Sequence, residues 1–265
     1  MIKKAMLSKR DKRIYQVIFI VFILLCTLIG YSCFRYYVHL QNTVKTESQG
    51  YMEEISKQMG TNVNKNIDDK FAMLGTMSTV LKNLNISSYD QFEKAMVEQQ
   101  KLWNYQKLFL IDQNGIAYDE KGTPVVLNKD TYLQDVIVHD LPSLSSSQVI
   151  DGKESIVFAI PIDNVKVNNT TMAALAASFD LSTFDKILAM TAFDGKGYAH
   201  IIGSDGSIVV RSSSENALPT GYNVLNSLSR GEFIGDNNID NIKNDIANGQ
   251  SGQAEFILDD NREYM

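Results

Sequence analysis

Residues 14–34, IYQVIFIVFILLCTLIGYSCF, carry no charge and are apolar on every side. About 20 helical residues cross the roughly 30 Å hydrocarbon core of a bilayer, so this stretch is expected to be a transmembrane helix. A cleaved signal peptide has a shorter apolar run of about 7–15 residues that ends in small side chains. Here Tyr31, Phe34, Tyr36 and Tyr37 stand where that cleavage site would fall, and such aromatics suit the membrane interface. Beyond Val38 the apolar positions thin to a stripe. Leu40, Val44, Tyr51, Ile55, Met59, Val63, Ile67, Phe71, Leu74, Met77 and Leu81 recur with helical periodicity and no proline intervenes, which predicts one long helix. The heptad register is loose and contains Gly60, so the stripe is expected to serve both as a dimer seam and as core packing toward its distal end. A break at Asn83–Ser88 precedes a second helix, Tyr89–Asn104, with Phe92, Ala95, Met96, Leu102 and Trp103 inward.

After Tyr105 the period falls to two. Leu108–Asp112 and Ile116–Asp119 flank Gln113-Asn114-Gly115, a strong hairpin signal. Asp130 is placed to cap a short helix ending at Val138. Ser155–Ile162 and Met172–Leu181 are long apolar strands joined by a polar turn at Asp163–Thr171, and Ser182 is placed to cap a helix running from Thr183 to Met190. Antiparallel strands alternating with short helices predict an α+β fold. A weak repeat follows: Tyr198–Arg211 repeats the strand–turn–strand of Leu108–Asp119, with Gly115 and Gly206 in matching turns. Gly252–Met265 likewise repeats the region from Asp151 onward and stops within a strand, so the second copy is expected to be incomplete and the chain a piece of a longer protein. The expected organisation is a tail (1–13), a membrane helix (14–34), a helical stalk with the second helix (35–105) and two lobes (106–190 and 191–265).

Charge adds an orientation. Lys3, Lys4, Lys9, Arg10, Lys12 and Arg13 against Asp11 give the tail +5, and since the whole chain is −6, the remainder carries −11. By the positive-inside rule the tail is cytoplasmic and residues 36 onward lie outside. An acidic outer part lacks the basic footprint that nucleic acids require. Cys26 and Cys33 both fall in the apolar run, seven residues apart and out of bridging reach on one helix, so the outer part relies on its core rather than on disulfides.

Catalytic chemistry is not indicated. His39, His139 and His200 are scattered without metal-ligand spacing, and Gly203-Ser204-Asp205-Gly206 reads as a hairpin turn. No enzyme activity, metal or cofactor is expected of this chain. A small-molecule pocket is the better target, apolar with a few placed polar groups. Asp180 interrupts an apolar strand just before a helix, where it can accept hydrogen bonds from a ligand ammonium or, alternatively, cap the helix or satisfy a turn. Tyr118, Phe158 and Trp103 are candidate pocket walls, although plain core packing is the commoner role of such side chains.

In order and spacing, Leu108–Gly115 (LFLIDQNG), Asp151–Ile162 (DGKESIVFAIPI), Ala176–Leu188 (AASFDLSTFDKIL), Gly197–Ser212 (GKGYAHIIGSDGSIVVRS) and Ile246–Tyr264 (IANGQSGQAEFILDDNREY) resemble the double Cache family of extracellular sensor domains. The resemblance covers about residues 36–265 and implies a stalk helix, a membrane-distal PAS-like lobe with the ligand pocket, and a membrane-proximal lobe. It further implies a second membrane helix and a cytoplasmic output: diguanylate cyclase first, then histidine kinase or chemotaxis module. Amino-acid-binding members place an acceptor aspartate at the position of Asp180 and grip the ligand carboxylate with an Arg-x-Trp-Tyr motif. The matching stretch here is Lys129-Asp130-Thr131-Tyr132, which keeps the tyrosine but puts lysine, a point charge, where arginine would supply a fork. The expected partners are thus a small ligand, such as an amino acid or carboxylate, a second copy along the stalk, and the membrane. The competing reading is a membrane-tethered structural or adhesion protein with no small-molecule ligand. A reporter enzyme fused after Asn42 is expected to be active only outside the cytoplasm; cytoplasmic activity in the unmutated chain contradicts the orientation.

Overall fold

The computed structural model describes residues 9–128, 131–188, 197–212, 214, 217, 221–235, 237–258 and 261–264. The chain divides after Ser56 into two units, 1–56 and 57–265. Helix α1 (Lys9–Asn83) belongs to both. In the first unit its apolar side chains are bare: Ile18, Phe22, Leu25, Leu28 and Phe34 are all more than half exposed. The run is long and apolar enough to cross a membrane. Further along, Leu40, Val44 and Tyr51 also remain exposed.

In the second unit the same helical stripe turns inward. Val63, Leu74, Met77 and Leu81 are buried, joined by Met73. Helix α2 (Tyr89–Trp103) starts on Ser88, whose hydroxyl accepts the Gln91 N–H, and ends on Asn104 in a left-handed conformation. Phe92 and Met96 are its core residues. Leu102 and Trp103 are not: Leu102 is 74 % exposed, and Trp103 lies at the surface with its indole N–H donated to Gln99. The helical period was right for the first three turns, but the last turn runs past the edge of the core it covers.

The main sheet is antiparallel, in the order β3 (Pro124–Val125), β2 (Ala117–Tyr118), β1 (Lys107–Asp112), β7 (Thr170–Asp180), β6 (Lys153–Val167), β4 (Ser143–Leu144), with β5 (Gln148–Ile150) also paired to β6. The polar segment after Ile162, expected to be a long turn, instead extends both strands. A register shift between Pro161 and Val165 absorbs the polar residues, and the reversal tightens to Asn168-Asn169, both at positive φ. Asparagine tolerates that conformation better than most residues, which is why two suffice.

Because side chains alternate across a strand, the sheet feeds two cores. One face turns Leu108, Leu110, Ile156, Phe158, Leu175 and Phe179 toward α1, α2 and helix α4 (Ser182–Leu188). The other turns Phe109, Ile111, Val157, Ala159, Ala174 and Ala176 toward helix α3 (Thr131–Ile137), which contributes Tyr132, Leu133 and Val136. The paired stretches Ile156–Ile160 and Met172–Ala177 are therefore continuously apolar, as burial on two sides requires.

Residues 197–264 hold a smaller core. A hairpin of β8 (Ile201–Ile202) and β9 (Ile208–Val210) leads to α5 (Val224–Leu228), β10 (Glu232–Ile234), α6 (Ile239–Ala247), β11 (Glu255–Leu258) and β12 (Asn261–Tyr264), the last three strands forming a sheet in the order β10-β11-β12. Gly115 and Gly206, the matching turn glycines of the repeat, adopt the same conformation, φ 76° and 78°. At Gly206 a side chain is doubly excluded, since a Cβ would also come within 2.6 Å of Leu225. The helix cap assigned to Asp130 and the end of α4 at Met190 lie outside the described residues.

Glu120 marks where β2 stops. Its carboxylate, rather than a backbone carbonyl, accepts the Leu108 N–H at 2.8 Å, and burial raises its pKa from the ordinary value despite that bond. A raised folded-state pKa means the native state holds this proton more tightly than the unfolded chain. Stability therefore falls as pH rises from the unfolded-chain value through the raised folded-state one. Glu120→Gln, which keeps an acceptor oxygen, is expected to raise Tm at pH 7, with the gap closing below about pH 4. A lower Tm at pH 7 for this variant would show that the charged bond to Leu108 outweighs burial.

Candidate functional site

At one end of the main sheet β6 and β7 finish in register, with Ser155 opposite Asp180 and Ile156 opposite Phe179. Alternation sends Phe179 and Ile156 into the α1 core, and Ser155, Ser178 and Asp180 to the other face. The apolar strand thus ends in a polar patch. The chain entering β1 (Asn104, Tyr105, Gln106), Lys153 at the start of β6, Asp180, and Ser182 and Thr183 at the start of α4 together line a cleft of about 330 Å³.

The polar groups of this cleft are partly committed. Asp180 Oδ1 accepts the Ser182 N–H at 2.9 Å, and hydrogen bonding from Ser182, first its hydroxyl and then its N–H, with the nearby Lys153 charge, holds the carboxyl below its ordinary pKa. Asp180 is therefore an anion at neutral pH. The Gln106 side chain accepts from Ser155 Oγ at 2.7 Å through Oε1. Its Nε2 is buried without a partner at hydrogen-bond distance, although the amide still helps to lower Asp180. Tyr105 donates its hydroxyl to the Met96 carbonyl at 2.9 Å, and burial drives its pKa well above the tyrosine range. Beside the cleft, Lys107 Nζ meets Asp151 at 2.7 Å, an ion pair that raises the lysine pKa. The cleft therefore presents an anion, an ammonium and an amide donor within one small volume.

Of the candidate site residues singled out from sequence, Asp180 is the one among the described residues that lines this cleft. It also makes the turn contact that was the alternative reading, so one carboxylate oxygen is spent before any ligand arrives. Tyr132 is 2 % exposed in the α3 core and is not among the cleft residues. Lys129 lies outside the described residues. Phe158 does not line this cleft: β6 alternation turns it to the opposite face, where it meets Phe71, Phe179 and Phe184. Tyr118, in register with Leu110, also faces the helices, 6.0 Å from the Tyr89 ring. Trp103 stands on exposed α2 surface. Sequence reading missed Gln106, Lys153 and Asn104, and only the spacing of Lys153 two residues before Ser155 hinted at a shared face.

The α3 face carries its own polar group. Ser145 Oγ accepts the Val157 N–H and the Gln148 Nε2, while Gln148 Oε1 accepts the Asn128 N–H. This buried network ties the segment that leads toward residue 129 to the sheet. Among the described residues no group of acids, histidines or cysteines could hold a metal ion.

No family model and no curated protein matches the chain. Solved structures do. The ligand-binding domain of the Pseudomonas aeruginosa amino acid chemoreceptor PctC, in complex with GABA, superposes with a TM-score of 0.56 at 15 % identity, covering 82 % of this chain and 90 % of that one. The Pseudomonas fluorescens chemoreceptor domain CtaA, in complex with L-alanine, gives 0.56 at 12 % identity over 81 % of this chain and 87 % of its own. The extracellular domain of the histidine kinase mmHK1S-Z3 gives 0.51 at 14 % identity, covering 77 % and 83 %. The chain shares the fold of these ligand-binding and extracellular domains, which is consistent with the double Cache resemblance. Mixed helix and antiparallel sheet behind a long N-terminal helix is the architecture they have in common. At these identities the likeness is one of fold.

Proposed function

We propose that this chain is the sensing part of a transmembrane signal-transduction receptor, and that it detects a small zwitterionic ligand in the Asp180 cleft. The carrying observation is a cleft with an anionic acceptor and two donors, Lys153 and Gln106, at the open end of a sensor-fold sheet. An ammonium suits Asp180, and a carboxylate suits Lys153 with the Gln106 amide. GABA and L-alanine, the ligands bound by two proteins of this fold, have that pair of charges.

In this reading residues 14–34 cross the membrane, the basic tail is cytoplasmic and residues 36 onward form the outer part, with a membrane-distal lobe at 106–190 and a proximal one at 191–265. The exposed stripe from Leu40 to Tyr51 supports pairing with a second copy. The output is a separate cytoplasmic module; diguanylate cyclase is favoured by family resemblance, ahead of a histidine kinase or chemotaxis module. The chain itself is non-catalytic. Ligand binding shifts the population between two arrangements of the outer part.

The full chain in detergent is expected to gain thermal stability with at least one of GABA, L-alanine, L-glutamine or L-arginine as probe. Asp180→Ala should weaken that binding by about ten- to a hundredfold, the loss of a charge-assisted hydrogen bond worth about 1.5–3 kcal/mol. Stabilisation unaffected by Asp180→Ala would move the site elsewhere. No stabilisation by any of the four would favour the tethered structural protein.

A further inference from the structure

The two walls of the Asp180 cleft share a second, hidden contact. One wall is the end of β7, whose preceding residue Phe179 points to the opposite face of the sheet; the other is the start of α4, whose Phe184 points to the same place. Both rings meet Phe158. Phe179 stands edge-on to it with centroids 5.5 Å apart and planes at 89°, and Phe184 stacks on it at 6.5 Å and 3°. All three rings are at most 1 % exposed.

Helix α1 reaches this cluster through two consecutive residues. Phe71 packs edge-on against Phe158, centroids 5.3 Å apart. Lys70 sets its ammonium over the face of Phe179, 4.3 Å from the centroid. Burial lowers the Lys70 pKa, yet the ring's quadrupole offers the charge a favourable partner. A close-packed cluster of this kind transmits a displacement rather than absorbing it, because neighbouring rings have no free volume into which to move.

We propose that Lys70 and Phe71 read the state of the cleft for α1 through the Phe158–Phe179–Phe184 cluster, with Lys70 as the residue that couples β7 to the helix. The transmitting role rests on the cleft being the ligand site. The coupling itself is a property of the chain without ligand. Asp180 fixes the β7–α4 turn through its bond to Ser182, so altering Asp180 shifts Phe179 and Phe184 together. Loss of the Lys70 ammonium leaves the rings in place and removes the contact that ties α1 to the moving one. Intervening position alone does not establish coupling; a measured dependence of one site on the other does.

The test is amide hydrogen exchange on the full chain in detergent, with no ligand added. Asp180→Asn is expected to change exchange of α1 amides around residues 66–74 by about threefold or more. In the Lys70→Met background the same change should move them by less than about twofold, whereas Lys70→Arg, which keeps a cation over the ring, should restore the response. Thermal melts of each variant confirm a folded state, and Phe71→Leu serves as a second entry if Lys70→Met fails to fold. An equal α1 response to Asp180→Asn in all backgrounds, or none in the native background, overturns the proposal. If no probe binds the cleft yet this coupling is observed, the ligand reading fails and the coupling stands.

Discussion

β6 and β7 pair antiparallel from Ser155–Asp180 at one end to Val167–Thr170 at the other, and both lie at the centre of the main sheet. Their pleat assigns each residue to one of two cores. Phe158, Leu175 and Phe179 join the helices, while Val157, Ala174 and Ala176 join α3. Each buried large side chain contributes about 1.5–3 kcal/mol, and a one-residue slip would send every one to the wrong face. The register is therefore fixed by burial on both sides. That constraint places Asp180 at the cleft and Phe179, one residue away, against α1.

A polar strand end attached to a rigid aromatic cluster suits sensing. The cleft is open and holds charged groups that water can satisfy when it is empty, whereas the cluster behind it is dry and closely packed. A ligand that engages Asp180 and Lys153 changes the forces on β7 and α4, the two elements that also carry Phe179 and Phe184. In the proposed mechanism, binding chemistry and mechanical readout thus occupy opposite faces of β7, on the adjacent residues Asp180 and Phe179.

Periodicity made most of this architecture legible. The uncharged run, the stripe ending at Leu81, the Asn114-Gly115 hairpin and the two apolar strands all appear where the pattern puts them. What periodicity cannot supply is the assignment of faces on a stretch of strand that is continuously apolar. Phe158 looks the same as a pocket wall and as a core ring, and only the pairing with β7 decides. The last turn of α2 failed for a related reason: Leu102 and Trp103 continue the helical phase beyond the sheet edge. Gln106 and Lys153 were invisible because they converge through pairing of strands distant in sequence. Of the pair expected from the family resemblance, Asp180 lines the cleft and Tyr132 is buried in the α3 core with Leu133, Val136 and Phe109.

Ligand contacts are proposed to form at the polar end of the sheet and not beneath α3. Site-resolved amide chemical shifts, recorded with and without whichever probe stabilises the chain, test it most directly. The largest changes are expected at residues 104–106, 153 and 180–183. Changes centred instead on Leu127, Tyr132, Leu133 and Val136, with the cleft amides unmoved, would contradict it.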